Sequence, residues 1–400
     1  MVTMAEVQLG NPDSFVNGVP HDTFRLLRRE APLYRERLPD GTEFWALTKY
    51  HDVVAASSDY ATFSSAKGTN IEEQGGGTQL MMVNMDPPRH TKLRALISKG
   101  FTPKMVRALD PHVREITTAI VDNVARRGEC DFVTEVAAEL PLQVIAELIG
   151  IPIEERHLVF EWSNQMIGLG DPEYGNSMEV ATKAANAMFA YADKLASERR
   201  QNPKSDVVSV LLGAEVDGEQ LTPLEFNVFF LLLAVAGNET TRNLISGGML
   251  ALIEHPGQRQ RLLKDPALIP TAVEEMLRWV TPVMYFRRTA TRDTEIRGQK
   301  IREGEKVTLW YISANRDEEV FPEADRFDVA RSPNEHIAFG AGGPHFCLGN
   351  SLARLEIQIM FEELLRRLPD ITLAGPVARL RSNFISGIKH MPVAFTPERR

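Results

Sequence analysis

Phe339-Gly340-Ala341-Gly342-Gly343-Pro344-His345-Phe346-Cys347-Leu348-Gly349, near the C-terminal end, places one of the chain's two cysteines at the junction of a glycine-rich loop and a helix. The spacing predicts that helix from Leu348, with Leu352, Leu355, Ile359 and Leu364 apolar and Arg354, Glu356 and Glu363 polar. A thiol at a helix start sits near the positive end of the peptide dipoles, which favours its thiolate form. The glycines let backbone N–H groups turn towards the sulfur and leave room for a flat group to lie close to the chain. A buried thiolate needs a positive partner. On spacing alone, a small buried hydrophobe is the competing reading of a lone cysteine.

These residues resemble the haem-thiolate loop of the cytochrome P-450 family. The resemblance implies Cys347 as axial ligand of the iron of haem b. It implies Gly349 and Ala353 as small packing residues, Gly343 as a loop glycine, His345 as a propionate contact and Phe339 beside the sulfur. Phe339 lies one residue further from the cysteine than is usual, because Gly342 and Gly343 occupy what is commonly one position. A longer loop of this kind occurs in bacterial members that hydroxylate sterols, terpenoids and methyl-branched lipids.

Upstream, Thr222-Pro223-Leu224-Glu225 reads as a helix start, with an N-cap, a proline in the first turn and a capping box. No proline interrupts the chain from there to about Glu254. The first half of the helix (Phe226, Phe229, Phe230, Leu231, Leu232, Leu233, Val235) is apolar all round, which predicts burial through the middle of the fold. Gly237 and Thr240 predict a local opening of its hydrogen-bond ladder. A Glu and a Thr inside such a helix need partners. Ala236-Gly237-Asn238-Glu239-Thr240 resembles the family's oxygen-activation motif. Thr240 and Glu239 are then the expected catalytic pair, a hydroxyl and an acid that relay protons, with Ala236 against the haem.

Glu275 and Arg278, three apart, match the family's E-x-x-R motif, with Arg326 as the expected third member. His90 and Arg94 share a helix face, and with Arg288 the resemblance makes them propionate contacts; Arg287 is expected to be solvated or locally paired. Met82, Val83, Leu232, Ala236, Val283, Met284, Phe384 and Ile385 are the expected pocket wall, apolar and partly flexible. Further helices are expected over Phe24–Arg29, from Thr102-Pro103 to about Arg127, and over 136–150, 153–166 and 178–200. Strands are expected over 43–47, 294–296 and 306–310. The polar, glycine-rich Ser64–Gly77 reads as a mobile loop, which the resemblance places over the pocket. Cys130 and His336 read as structural.

Four hundred residues with 43% apolar content can bury a large core, and no composition shift divides them, so one domain over 1–400 is expected. The expected fold is mainly α with a small β-rich region, the haem lying between the long central helix and the Cys347 loop. No run reaches the ~18–20 apolar residues that span a bilayer, and no signal peptide opens the chain. A cytoplasmic monomer without a membrane partner is expected. A net charge of −9 argues against general nucleic-acid affinity. The implied reaction inserts one oxygen atom of O2 into a C–H bond of a hydrophobic small molecule such as a terpenoid, steroid or fatty-acid-like lipid. Two electrons must come from a ferredoxin and its reductase, since the chain carries no flavin or iron–sulfur motif; Arg89, Lys92 and Arg354 are candidate contacts. A peroxide-driven peroxygenase, a non-catalytic haem sensor or carrier, and a haem-thiolate isomerase or coupling enzyme are the alternatives.

Overall fold

The computed structural model describes residues 2–72, 78–98, 101–174, 177–216 and 218–399. Its helices run in the order His21–Glu30 (α1), Tyr50–Ser58 (α2), Arg89–Ser98 (α3), Pro103–Ala108 (α4), Asp110–Ala125 (α5), Glu139–Ile149 (α6) and Arg156–Ile167 (α7). They continue with Met178–Gln201 (α8), Val207–Leu212 (α9), Pro223–Glu254 (α10), Pro256–Lys264 (α11), Ile269–Val280 (α12), Tyr311–Ala314 (α13) and Asn350–Arg367 (α14). The architecture is the mainly α arrangement with small sheets that the sequence predicts. Among the described residues, no helix is long and apolar enough to cross a membrane.

The 32-residue α10 organises the core. Thr222 caps it, its Oγ1 accepting from the Glu225 N–H at 3.3 Å while the Glu225 carboxylate accepts from the Thr222 N–H at 2.9 Å. Its apolar residues join two clusters, one shared with α5, α12 and α14 and one with α6 and α8. Gly237 lets α6 pass close: a Cβ there would meet Ile145 at 2.7 Å. The ladder stays helical from Pro223 to Glu254, so the expected opening is absent. Thr240 Oγ1 instead donates to the Ala236 carbonyl at 2.9 Å, a bond that leaves the backbone pairing in place.

The helix expected to run to Arg127 divides at Leu109 into α4 and α5, because Pro111 in the first turn of α5 has no N–H to continue the ladder. A five-stranded sheet has the order 33–37, 43–47, 306–310, 285–290, 63–64. Its one parallel pair joins 306–310 to 43–47, with Leu309 opposite Leu47. Cys130 is buried in a separate sheet, paired with Val393.

The segment after the strand Phe63–Ser64 is anchored up to Ile71, which corrects half of the mobile-loop expectation. Buried Arg287 donates to the carbonyls of Gly68, at 3.2 Å, and Lys67, and the Ile71 N–H donates to the Tyr285 hydroxyl at 3.3 Å. The rest of that expectation, residues 73–77, lies outside the described residues. Arg287 itself is 1% exposed, so of its two expected states, solvated or paired, it takes the paired one.

Candidate functional site

One cavity, about 1540 Å³ of atom-free space including its open mouth, lies between α10 and the Cys347 loop. The loop is held by backbone bonds: Cys347 N–H donates to the Phe339 carbonyl at 2.9 Å, and Asn350 Nδ2 to the Cys347 carbonyl at 2.8 Å. The additional glycine is accommodated by two successive left-handed residues, Gly342 at φ +84° and Gly343 at φ +73°. A Cβ on Gly343 would also meet the Ser57 carbonyl at 2.6 Å. Phe339 lines the cavity, and the Arg354 guanidinium carbon lies 4.6 Å from its ring centroid. Glu274 takes both Arg354 and His336, at 2.7 and 2.9 Å, which pulls its carboxyl down to about 2 against burial. Arg354 is therefore engaged internally, and it is a weaker surface candidate than expected.

The Glu275–Arg278 pair fastens this loop's approach to α12. Both side chains are fully buried and joined by two 2.8 Å bonds. Arg278 also donates to the carbonyls of Asn315 and Ala324, at 2.8 and 2.9 Å. The third member is Arg331, whose Nε donates to Glu275 at 3.1 and 3.2 Å. The expected Arg326 points outward to Glu323, its side chain 53% exposed, and gives the centre only its carbonyl.

His90, Arg94, Arg288, His345, Cys347, Gly349, Ala236 and Phe339 all line the cavity. Arg288 reaches it by the two-residue strand period: Phe286 and Arg288 point in, while Tyr285 and Arg287 point away. Of the expected pocket wall, Met82, Val83, Leu232, Ala236 and Val283 line it. Met284, Phe384 and Ile385 do not, which corrects the expectation. Extended chain sends Met284 to the opposite side from Val283, into the cluster of Tyr285 and Trp310 that Phe384 joins. Ile385 is joined to Val283 by a backbone bridge.

Four basic side chains, His90, Arg94, Arg288 and His345, meet in the cavity, and among the described residues no carboxylate is hydrogen-bonded to any of them. Among the described residues, buried Arg288 donates only to the Arg287 carbonyl, at 2.9 Å, and buried His90 Nδ1 has no partner. The two imidazole centroids are 4.3 Å apart. Such a set fits a dianionic group with its charges at one edge. Burial pushes the Cys347 thiol up, opposed by the N–H of Gly349, by Arg94 and Arg354 and by the N–H of Asn350. A cation bound to sulfur removes that penalty. The residues present therefore fit an iron porphyrin with two propionates.

Burial and neighbouring Arg94 lower His90 to about 4, and burial with Arg288 lowers His345 to about 3. Both are neutral at pH 7. Below the unfolded value near 6.5 the unfolded chain binds more protons, so stability falls with acid through pH 6.5 to 4 by up to ~1.4 kcal/mol per unit per group. Two carboxylates at the same edge raise both values and shrink the loss. Unfolding midpoints measured against pH, with and without haem, check this. A haem-free protein more stable at pH 5 than at pH 7 contradicts it.

Thr240 lines the cavity; Glu239 does not, being 1% exposed on the other face of α10 beside Arg242. Sequence reasoning missed several residues. Tyr311 lines the cavity near Arg288 and Ser57 lines it beside Gly342, and only the fold brings them there. Glu356 also lines it, fully buried, pushed up to about 8 by burial, with Oε2 unpartnered among the described residues. Arg242 was within reach, since it stands three residues after Glu239 as Arg278 does after Glu275.

A family model described as Cytochrome P450 matches residues 260–369. The chain is 44% identical to a Mycobacterium tuberculosis methyl-branched lipid omega-hydroxylase over 99% of this chain and 96% of that protein. It is 42% identical to a Rhodococcus jostii steroid C26-monooxygenase over 96% of this chain and 84% of that protein. A Mycobacterium marinum cytochrome P450 in complex with pseudoionone superposes with a TM-score of 0.90 at 41% identity, covering 94% of each chain. Identity at this level along nearly the whole length, on a cavity closed by a lone cysteine, establishes that the chain belongs to the cytochrome P450 family of haem b monooxygenases.

Proposed function

We propose that this chain, one P450 domain over 1–400, hydroxylates a hydrophobic small molecule of the terpenoid, steroid or fatty-acid-like lipid class. The observation that carries the reading is the cavity itself: Cys347 on one side, Thr240 on the other, and an apolar wall of Met82, Val83, Leu232 and Val283 between them. The relatives named for branched-lipid and steroid oxidation support the substrate class. Bound haem supplies O2 activation, which thiolate ligation favours. Arg94, Arg288, His90 and His345 would hold its propionates, with Tyr311 beside Arg288. The wall excludes water and holds the substrate by apolar contact.

Thr240 would supply a hydroxyl at the cavity face of α10, and Glu239, one residue earlier, would bring protons from the side away from the cavity. Thr240→Ala removes the hydroxyl and leaves the helix. Product formed per NAD(P)H consumed should then fall at least about tenfold, less than the full ~10²–10⁴-fold of a positioned proton donor because water takes over part of the transfer, while NAD(P)H oxidation continues. Unchanged coupling would show that Thr240 has no such role.

A ferredoxin and its reductase would deliver the electrons, with Arg89 and Lys92, both exposed on α3, among the contacts. Charge-to-Ala changes at these two positions should slow ferredoxin-driven turnover at low salt. The deciding experiment is a spectral titration with lipids, steroids and terpenoids. Type I shifts confined to small polar compounds would overturn the substrate class.

A further inference from the structure

The turn after the strand Phe63–Ser64 reaches one member of the basic set. Ser65 is 1% exposed, and its Oγ lies 3.2 Å from Nε2 of His345. The Ser65 N–H donates to Asp86 Oδ1 at 2.9 Å, and the Ser64 hydroxyl donates to Asp86 Oδ2. Asp86 stands just ahead of α3, where its carbonyl accepts from the His90 N–H at 3.1 Å. The strand itself pairs with 285–290, Ser64 opposite Thr289. One carboxylate and two serines thus join the three segments that supply His90 and Arg94, Arg288, and His345.

The field of Asp86 reaches His90 and Arg288. A carboxylate this near would compete with an incoming dianion if it paired with those cations. Instead both of its oxygens are taken by Ser64 and Ser65, which hold it at the turn. The Ser65 hydroxyl is then aimed at the imidazole. His345 also donates to the Met85 carbonyl, a group that can only accept. A hydroxyl gives or accepts, so Ser65 fits the ring in either tautomer and fixes its plane from a second side.

We infer that Ser65, fixed by the Asp86 carboxylate, is a positioning residue that orients the His345 imidazole for a haem propionate. This rests on the reading of His345 as a propionate contact. It adds that the hold on the haem edge runs back through one buried hydroxyl to a carboxylate at the start of α3. Partners behind a ligand-holding side chain set its orientation, and removing them weakens the hold without touching the ligand. Ser65 does not line the cavity, so its effect on the haem passes through His345.

The test uses the full-length haem-loaded protein and needs neither substrate nor turnover. Ser65→Ala should shift the propionate bending band of the resonance Raman spectrum. It should also speed haem transfer to excess apomyoglobin about threefold to tenfold, the net worth of one hydrogen bond. Both effects should vanish when the same change is made in a His345→Ala background, because no ring is left to orient. Asp86→Ala should move the band in the same direction. A wild-type band and haem-loss rate in Ser65→Ala overturn the inference, as does an effect of equal size in the His345→Ala background or a band unmoved in Asp86→Ala. Where Ser65→Ala does not accumulate, Ser65→Cys, a similar volume with a weak hydrogen-bonding group, is read in the same way. Faster haem loss from His345→Ala beside an unchanged Ser65→Ala sinks this inference alone. A His345→Ala protein that keeps its haem as the wild type does removes the reading beneath it.

Discussion

Cys347→Ala is expected to fold, to lose the red-shifted band of the reduced CO-difference spectrum, and to lose turnover by about a thousandfold or more, ~4 kcal/mol of barrier. The substitution keeps Cβ and the backbone. The loop's own bonds, Cys347 N–H to the Phe339 carbonyl and Asn350 to the Cys347 carbonyl, are therefore untouched. What disappears is the sulfur that faces Arg94 and the N-terminal N–H groups of α14. An anionic sulfur ligand gives ferrous haem its distinctive spectrum and favours O–O cleavage, and no second cysteine can substitute. Cys130 is buried in another sheet, with burial holding its thiol up at about 12. A band that survives the substitution would mean that another side chain holds the iron.

The sequence could give the elements whose signals are local. The capping box at Thr222, the apolar girth of α10, the Arg287/Arg288 alternation and the spacing of His90 from Arg94 are all fixed by neighbours a few residues apart. What it could not give depends on long-range assembly. Arg326 and Arg331 both follow the Glu275 helix by about fifty residues, and only the path of the intervening loop decides which one turns inward. Met284 and Phe384 carry the right hydrophobicity for a pocket wall, but a strand side is a choice between two faces. Tyr311 and Ser57 sit in unremarkable stretches, and only the fold brings them to Arg288 and to the glycine loop respectively. The left-handed pair Gly342–Gly343 was visible as composition, whereas its fit under Ser57 was not.

The second large effect concerns that inward arginine. Glu275 is fully buried and accepts from Arg278, Arg331, Asn334 and the Asp328 N–H. Replacing it with alanine leaves the Arg278 guanidinium, and part of Arg331, buried without an anion. Breaking a buried pair from one side costs about 3–5 kcal/mol, against a total stability of roughly 5–15 kcal/mol. Glu275→Ala is thus expected to accumulate poorly or to unfold at much lower denaturant. Arg331→Ala should follow it at about half the cost, because its side chain is 9% exposed and Arg278 still neutralises Glu275. Arg326→Ala should stay within about 0.5 kcal/mol, as exposed pairs do. Urea unfolding of the three variants orders them. An Arg326 variant more damaging than the Arg331 variant would return the third place in the motif to Arg326 and displace the geometry described above.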